Sequence, residues 1–478
     1  MTQGDAARLY HRLTSYSPDR EWDDPADDPR VRHDLAPNDP ATLPPPVKRY
    51  TAELPVTPLP RDPAPTTYTA TEVLAGAVPA PAVAPDLAAL ARLLYLSAGV
   101  VRVAERDGRR MLFRASGSAG NRFPLEVYLA ARGIDGLADG VHWYDPQAHA
   151  LRQVGPAPAG DVSTIVVTGV PWRTGWRYAE RGYRHLYWDA GTLLAQQSAL
   201  AASAGLPALL RTVFPDRQVA ELVGADGVHE FPLALLTLGA GDPAIVPGGP
   251  AATGEVDTDP PEFGLITAAQ RAGDGEVLGD PWPAGAPLAG EPPASAPLDE
   301  VILRRGSTRR MDPATTVATE VLDWALAAAT RGIPYRQYVA VHGVEGVEPG
   351  LYAWPDLDTA LKAGDLRDEL RRICLDQGLG GDAAYVVIST ADLGAVDARG
   401  YRDAQLGAGL VEGRLHLAAY ALGAGASGMT FLDSEIPGLL GTADAGVLFT
   451  CVGVPAYRSK PGAARPGEPV EFRPVTPR

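Results

Sequence analysis

An internal repeat constrains this chain more than any other feature of its sequence. The tetrapeptide Arg181-Gly-Tyr-Arg184 recurs as Arg399-Gly-Tyr-Arg402, and the same spacing of 218 residues carries Ala190-Gly191 onto Ala408-Gly409. Upstream matches keep their order at a spacing of 210 residues. Chance similarity between alanine-rich helices would not keep this order along most of both halves. The sequence therefore predicts two copies of one α+β domain fused in a single chain.

Composition divides the chain around these two copies. The first 65 residues are rich in proline and partly acidic, a composition that cannot bury enough apolar surface to fold alone. We expect this arm to drape over the domains or to stay mobile. The predicted divisions are an arm at 1–65, a first domain at 66–244, a Gly/Pro-rich linker at 245–297 with one short helix at Gly264–Ala272, a second domain at 298–461 and a tail at 462–478.

A cluster of arginines opens the second copy. Arg304, Arg305, Arg309 and Arg310 surround a Gly-Ser-Thr turn, in a chain with only three lysines. The guanidinium group matches a phosphate with a fixed fork of N–H donors, and a turn of small residues lets backbone amides and hydroxyls reach the same anion. A solvated basic turn is the alternative for an isolated motif of this kind. The comparison of the two halves favours the phosphate site.

Each half keeps a motif that the other lacks. The counterpart of the arginine turn in the first copy falls at 73–83, which carries no charge. Conversely, the first copy has a loop rich in serine and glycine at 114–124, whose counterpart at 330–336 has no serine. Such complementarity is expected of a composite site at a two-fold interface that was fused into one chain and then diverged.

These motifs resemble those of the flavin-dependent nitroreductase superfamily, and specifically its SagB-type dehydrogenases, which oxidise azolines to azoles in peptide natural products. The resemblance spans about 67–461 and implies two tandem nitroreductase-like domains, each a mixed or antiparallel sheet flanked by helices, that form a pseudo-dimer within the chain. It implies noncovalent FMN, held by the arginine turn, the serine-glycine loop, a segment beside the flavin ring and a basic group near the C-terminus. The residues so implied are Arg305, Gly306, Ser307, Arg309, Arg114, Ser116, Ser118, Gly120, Asn121, Gly428, Met429, Thr430 and Arg458.

The resemblance also implies the chemistry. An azoline loses a hydride to the flavin and a proton to a base as it becomes aromatic. Where the family has a Lys-Tyr pair, this chain has Arg177-Tyr178. Arginine is not deprotonated in proteins, so Tyr178 is the candidate base and Arg177 an electrostatic neighbour or a substrate-binding group. An aromatic ring packed on a structural arginine is an equally good interpretation. The Arg-Gly-Tyr-Arg repeats occur in both halves, which favours a scaffold role for them.

Composition limits the remaining functions. The formal charge of −16 argues against nonspecific binding to nucleic acid or to anionic membranes. Two cysteines and eight histidines form no recognisable metal-ligand pattern, and no transmembrane or signal segment is evident. We therefore expect a cytoplasmic enzyme without a metal, which acts on a modified peptide or peptide-like substrate and allows a cyclodehydratase partner. Two alternatives stay open: a noncatalytic scaffold subunit with a vestigial flavin site, and a flavin oxidoreductase acting on another small natural product.

Overall fold

The computed structural model describes residues 3–19, 39–51, 53–79, 83–106 and 108–474. The acidic part of the predicted arm, at 20–38, lies outside the described residues. The helices are α1 Gln3–Leu13, α2 Ala70–Ala75, α3 Leu87–Ala98, α4 Pro171–Tyr178, α5 Gly182–Ser203, α6 Asp216–Val223, α7 Gly264–Ala272, α8 Leu298–Arg304, α9 Asp323–Thr330, α10 Arg367–Ile373, α11 Gly378–Asp382, α12 Ala398–Ala421 and α13 Ile436–Leu440.

The strands form three sheets. They are β1 Val56–Pro58, β2 Val100–Arg106, β3 Arg109–Arg114, β4 Leu125–Ala131, β5 Gly140–Asp145, β6 Ala150–Gly155, β7 Thr164–Gly169, β8 Leu209–Arg211, β9 Phe231–Thr237, β10 Gln337–Val341, β11 Gly350–Ala353, β12 Ala360–Ala363, β13 Tyr385–Ala391, β14 Gly425–Met429, β15 Ala445–Gly453 and β16 Val470–Glu471.

The two large sheets have the same strand order. One runs β1-β6-β5-β4-β7-β9-β8 and the other β12-β11-β10-β13-β15-β14, so six strands correspond one to one. Neighbouring strands in both sheets are antiparallel. The central strands β4, β7, β9 and β13 are buried along their whole length because both faces are covered. This arrangement of sheets and flanking helices confirms the predicted α+β fold with two related sheet bodies.

The two halves meet where the long helices α5 and α12 cross. Gly191 of α5 packs on the backbone of Leu406 and Gly409, and Gly409 of α12 packs in turn on the backbone of Trp188. A methyl group on Gly413 would lie 2.8 Å from both the Ala195 side chain and the Thr192 Cα. The glycines that the repeat brings into correspondence are therefore the points at which two helix backbones come into contact.

The repeated Arg-Gly-Tyr-Arg motifs bind carboxylates reciprocally across this interface. Arg181 and Arg184 of the first half each lie 2.6 Å from a carboxylate oxygen of Asp433 in the second half. Arg399 and Arg402 of the second half lie 2.8 Å and 2.9 Å from Asp216 in the first. An isologous interface has this property, since each surface contributes the same partner to the other. Both repeats thus act as scaffold.

The arm, linker and tail lie against the two halves along much of their described length. Tyr10 of α1 is fully buried and donates to the Glu180 carbonyl at 2.8 Å. Lys48 lies buried beside Glu230, with its Nζ 2.5 Å from the carboxylate. Helix α7 occurs in the linker where the sequence predicts it, and its Gln270 accepts hydrogen bonds from two tyrosine hydroxyls of α5. The tail strand β16 pairs in parallel with β2 of the first half. The domain divisions proposed from sequence stay a prediction.

The glycines at the helix crossing give a direct test of the interface. We expect Gly191→Ala and Gly409→Ala each to lower the free energy of unfolding by about 1–3 kcal/mol, because the new methyl group would overlap backbone atoms of the opposite helix. Gly438→Ala in α13 is the matched control, since a methyl group there meets no atom within 4 Å. Urea denaturation of the three variants measures the difference, and equal midpoints would contradict the close crossing.

Candidate functional site

The serine-glycine loop of the first half is held by a carboxylate on α5. The Ser118 hydroxyl donates to Asp189 at 2.6 Å, and the Ala119 backbone N–H donates to the other carboxylate oxygen at 3.0 Å. Ser118 Oγ also accepts from the Phe123 N–H at 2.8 Å. The loop turns through Gly120, whose φ of 58° favours glycine.

The arginine turn of the second half reaches directly to this loop. Arg305, which follows α8, is buried, and its Nη2 donates to the Ala115 carbonyl of the first half at 2.7 Å. Its Nη1 lies 3.2 Å from Nδ1 of His416. A methyl group on Gly117 would lie 3.6 Å from the Arg305 guanidinium. Burial, with the nearby charge of Arg102, lowers the pKa of Arg305 to about 10. Arg305 therefore connects the two halves across the seam, the boundary at which the serine-glycine loop of the first half meets the arginine turn of the second.

The other arginines of the turn, Arg304, Arg309 and Arg310, are exposed. Arg309 is exposed, and its backbone N–H donates to the Tyr457 hydroxyl at 2.9 Å. Ser307 is half-buried and pairs with Ala426 in an isolated parallel bridge. Gly306 leaves open space on one side, where a methyl group would lie 3.8 Å from the Tyr420 hydroxyl. Arg458 is exposed in the segment after β15. Of the predicted phosphate ligands, Arg309 and Arg458 are therefore the arginines exposed to an incoming anion.

The predicted segment beside the flavin ring ends strand β14. Gly428 lies against the carboxylate of Glu412 on α12, which accepts a hydrogen bond from its backbone N–H. Met429 is buried in the core of the second half. The Thr430 hydroxyl is buried, and no described residue pairs with it. An orphaned hydroxyl next to a glycine-rich strand end is the kind of group that a bound polar ligand would satisfy.

Tyr178 lies at the end of α4, beside the serine-glycine loop. Its ring stacks on His185 with centroids 3.9 Å apart, and a methyl group on Gly120 would lie 3.1 Å from its hydroxyl. Burial raises the pKa of Tyr178, although the charges of Arg177 and Arg309 act in the opposite direction. The effect of Arg309 places the second half's arginine turn within electrostatic reach of the first half's tyrosine. Arg177 is exposed, with its guanidinium 5.7 Å from the Tyr178 ring centre.

Three predicted cofactor ligands make contacts with the arm or within the first half. Arg114 is buried, donates to the Pro46 carbonyl at 3.0 Å and lies over the Phe123 ring. Asn121 donates to the Leu112 carbonyl at 3.0 Å. Ser116 is buried, and its backbone N–H bonds to the Ser97 carbonyl at 3.0 Å. These side chains support the shape of the loop, and their predicted contact with a cofactor stays a prediction.

Four residues that sequence reasoning missed lie at the centre of the site. Asp189 and Glu412 are carboxylates in otherwise buried stretches of α5 and α12, and His185 and His416 are buried histidines on the same two helices. An ionisable residue inside an apolar helix is a usable signal, because such groups are seldom fully buried without a role. The missing information was which neighbour each one faces.

The donors gathered at the seam fit a phosphorylated, planar cofactor. Arg309, Ser307 and the Gly306 backbone belong to the arginine turn, and Gly120 and Gly428 bring the backbone close to Tyr178 and Glu412. The Thr430 hydroxyl and Arg305 Nε are further buried polar atoms with no partner among the described residues. Among the described residues, no group of three or more histidine, cysteine or acidic side chains could hold a metal ion. None of the described helices is long and apolar enough to cross a membrane.

Comparison with known proteins supports the fold. The chain aligns over 94% of its length with 99% of a crystal structure from Anabaena variabilis described as a nitroreductase, with a TM-score of 0.69 and 23% identity. It is 28% identical over 144 residues to a Methanocaldococcus jannaschii protein named as a nitroreductase, covering 27% of this chain and 70% of that protein. An FMN complex of a nitroreductase from Exiguobacterium sibiricum aligns with 36% of this chain and 94% of its own, at 15% identity and a TM-score of 0.28. No family model matches the chain.

The contact between Gly120 and Tyr178 can be tested with a matched pair of glycines. Gly120→Ala places a methyl group 2.7 Å from Arg177 Cδ and 3.1 Å from the Tyr178 hydroxyl, on a backbone with φ of 58°. Gly133→Ala has the same backbone strain, with φ of 62°, but meets no atom within 4 Å. We expect both variants to lose about 1 kcal/mol of stability from the left-handed backbone. Only Gly120→Ala should move the NMR signals of a labelled Tyr178 ring, and an unchanged Tyr178 would contradict the geometry.

Proposed function

We propose that this chain is an FMN-dependent oxidoreductase of the nitroreductase superfamily, with one cofactor in the seam between its two halves. The observation that carries the proposal is the meeting of the Ser118 loop of the first half with the arginine turn of the second, joined by Arg305 and Ala115 at 2.7 Å. The fold similarity over nearly the whole chain supports it. So does the resemblance of the two motifs to those that the family uses at its flavin.

In this proposal the two halves hold different ends of the cofactor. Arg309, Ser307, Gly306 and Arg458 would bind the phosphate, because charged N–H donors and backbone amides converge at that end. The ring would lie between the Ser118–Gly120 loop and the Gly428–Thr430 segment. FMN supplies a hydride acceptor when bound. The protein's residues would position the substrate against that acceptor and would accept or donate the proton.

Within this class we propose a dehydrogenase that converts azoline rings to azoles in a peptide or peptide-like substrate, in the manner of SagB-type enzymes. Tyr178 is the candidate proton acceptor, since its hydroxyl lies at the Gly120 turn next to the seam. The phenolate oxygen would take the proton from the ring carbon while the hydride leaves from its neighbour. Arg177 and Arg309 favour that phenolate electrostatically. A cyclodehydratase that makes azolines is the partner that this reaction requires upstream.

One observation favours a second candidate. Burial outweighs the arginines, and the net pKa of Tyr178 lies above its ordinary value. Tyr178 is then a phenol at neutral pH, which suits a reductase that donates a proton to a small natural product better than an oxidase that needs a base. In a noncatalytic scaffold, by contrast, no substrate would reduce a flavin bound between the halves.

Cofactor binding is the first test. We expect the purified protein to show a flavin absorption spectrum and to release FMN on denaturation. Arg309→Gln should weaken FMN binding by about 10- to 100-fold, because a hydrogen bond to a charged group contributes about 1.5–3 kcal/mol. Arg336→Gln is the control, since that arginine has a 76% exposed side chain and lies 3.7 Å from Asp444. A protein that neither contains nor takes up FMN would refute the proposal and leave the scaffold role.

Tyr178→Phe separates the two catalytic candidates. We expect it to bind FMN as the wild type does and to lose at least about 100-fold in the rate at which an azoline peptide reduces the flavin, the usual effect of removing a general base. Stopped-flow absorbance under anaerobic conditions measures this rate. A loss under tenfold, together with faster reduction of an unsaturated small molecule by wild type than by the variant, would favour the reductase.

A further inference from the structure

One edge of the Arg181 guanidinium pairs with nothing in the part of the chain that the structure describes. Arg181 is buried, and its Nη1 donates to Asp433 at 2.6 Å and to the Thr14 carbonyl at 2.8 Å. Its Nε and Nη2 are also buried but have no hydrogen-bond partner among the described residues. These two atoms form one side of the planar group and match the two oxygens of a carboxylate. Arg92 uses the same two atoms to bind both carboxylate oxygens of Asp299.

The second Arg-Gly-Tyr-Arg motif shows how such a pair of arginines is balanced elsewhere in the molecule. Arg399 and Arg402 lie 2.8 Å and 2.9 Å from carboxylate oxygens of Asp216. Arg402 also lies 2.9 Å from a second carboxylate, that of Asp274 in the linker. Two positive charges are therefore matched by two negative ones.

The first motif has one carboxylate fewer. Among the described ion pairs, Arg181 and Arg184 share Asp433 alone. The repeat spacing of 218 residues places His185 at the position where the second half has Asp403. Burial and the neighbouring arginines lower the pKa of His185, so its ring is neutral and offsets no charge. The first motif thus carries one more positive charge than its described partners balance, and a buried charge without a partner is costly.

The groups packed around Arg181 do not supply oxygen atoms to this edge. The Glu180 carboxylate accepts a hydrogen bond from the Ile266 N–H of α7 at 3.2 Å. The rings of Tyr16 and Phe431 face the guanidinium, with centres 4.1 Å and 5.6 Å from its carbon atom. Aromatic faces attract a cation but offer no oxygen to its N–H donors. The two N–H donors therefore suit a ligand with two acceptor oxygens.

This edge lies close to the proposed catalytic tyrosine. His185 follows Arg181 by one helical turn and stacks on Tyr178, with ring centres 3.9 Å apart. Both ring nitrogens of His185 are buried, and no described residue bonds to them. The Tyr16 hydroxyl is buried in the same way. Burial raises the pKa of Tyr16, and Tyr178 acts on it in the same direction, so the two tyrosines lie within electrostatic reach of each other.

The arm brings Tyr16 to this place. Its backbone N–H donates to Asp433 at 2.8 Å, and its carbonyl accepts from the Ser434 N–H at 3.2 Å. Ser434 lies four residues after Thr430, whose buried hydroxyl also lacks a partner in the described chain. The polar atoms without partners near Arg181 therefore come from the arm, the first half and the second half.

We propose that the Nε–Nη2 edge of Arg181 binds a carboxylate carried on or next to the reacting ring of the substrate, with the Tyr16 hydroxyl as a further donor. A carboxylate fits better than a neutral amide, because the edge can only donate and the motif carries an extra positive charge. The assignment rests on the proposed function, which places the reacting ring at Tyr178. It narrows the substrate class to azoline acids, in which the ring bears the carboxylate, as opposed to azolines inside a peptide, where an amide follows the ring.

Binding of an azole acid and of its amide tests the assignment. FMN-loaded protein is titrated by calorimetry with 2-phenylthiazole-4-carboxylate and with the N-methylcarboxamide of the same acid, which imitates an azole inside a peptide. We expect wild type to bind the carboxylate at least about tenfold more tightly, since hydrogen bonds to a charged group are the stronger ones. Equal affinities, or binding of neither compound, would overturn the site.

A lysine at position 181 tests the edge itself. Arg181→Lys keeps a positive charge near Asp433 but cannot present two parallel donors, so we expect the carboxylate affinity to fall by about 10- to 100-fold. The carboxamide affinity should not change. Arg399→Lys is the matched control, because that arginine makes the same kind of contact with Asp216 at the second motif. Undiminished carboxylate binding by Arg181→Lys, or an equal loss in both lysine variants, contradicts the proposal.

Tyr16→Phe keeps the test independent of folding. The Tyr16 hydroxyl bonds to no described residue, so its removal breaks no hydrogen bond in the free protein. We expect an unchanged urea midpoint and a loss of about tenfold in carboxylate affinity. Wild-type affinity for the carboxylate in this variant would exclude Tyr16 from the site.

Two further arms separate the sources of the carboxylate and the two proposals. A short peptide that ends in thiazole-4-carboxylate should bind more tightly than the phenyl acid if the site takes a peptide C-terminus, and equally well if it takes a small free acid. If the protein takes up no FMN, the proposed function fails, and the same titrations of the flavin-free protein still decide whether Arg181 binds a carboxylate. If FMN and the acid both bind but the matching thiazoline acid does not reduce the flavin, azoline dehydrogenation alone fails.

Discussion

The structure depends on the close crossing of α5 and α12. Gly191 and Gly409 let the two helix backbones touch, and no other residue type leaves room for the opposite chain there. The crossing sets the distance between the two halves. That distance determines which residues of one half contact the other. Asp189 of α5 binds the Ser118 loop, and Arg305 reaches Ala115 in that same loop region, because α5 and the loop packed on it lie beside the contact.

Reciprocal ion pairs fix the rotation of the halves about this contact. Asp216 and Asp433 each receive two arginines from the opposite half. Burial opposes ionisation of Asp433, yet Arg181 and Arg184 hold its pKa well below the ordinary value. A buried pair of this kind adds little net stability compared with apolar residues, but a mismatched arrangement would leave uncompensated charges and is strongly disfavoured. The glycines therefore bring the halves close, and the arginines select one orientation.

The same two-fold framework carries two different surfaces. The first half supplies a loop of small and hydroxylated residues, and the second supplies the arginine turn after α8. Arg305 joins them: its guanidinium donates across the boundary to the Ala115 carbonyl, and it also lies 3.2 Å from His416 of its own half. An arginine that sequence reasoning assigned to a phosphate thus links the two halves, while the exposed Arg309 and Arg458 stay available to an anion. Fusion into one chain permits this asymmetry, since each half no longer needs a complete site.

The repeat was enough to predict the α+β class and the duplicated architecture, because its matches recur at a fixed spacing. The helix in the linker was predicted from its local sequence. The same signal identified the Ser118 loop and the arginine turn as complementary. It did not reveal Asp189, Glu412 or His416, since their roles depend on which residues distant in sequence face them in the folded chain.

The sequence by itself determined which parts are present: two similar domains, one basic turn and one serine-glycine loop. Only the tertiary structure decided that Arg305 lies inward and Arg309 outward, and that burial raises the pKa of Tyr178 despite two neighbouring arginines. The reason is physical. Desolvation and charge pairing depend on three-dimensional neighbours, and residues more than a hundred positions apart become neighbours only when the two long helices cross.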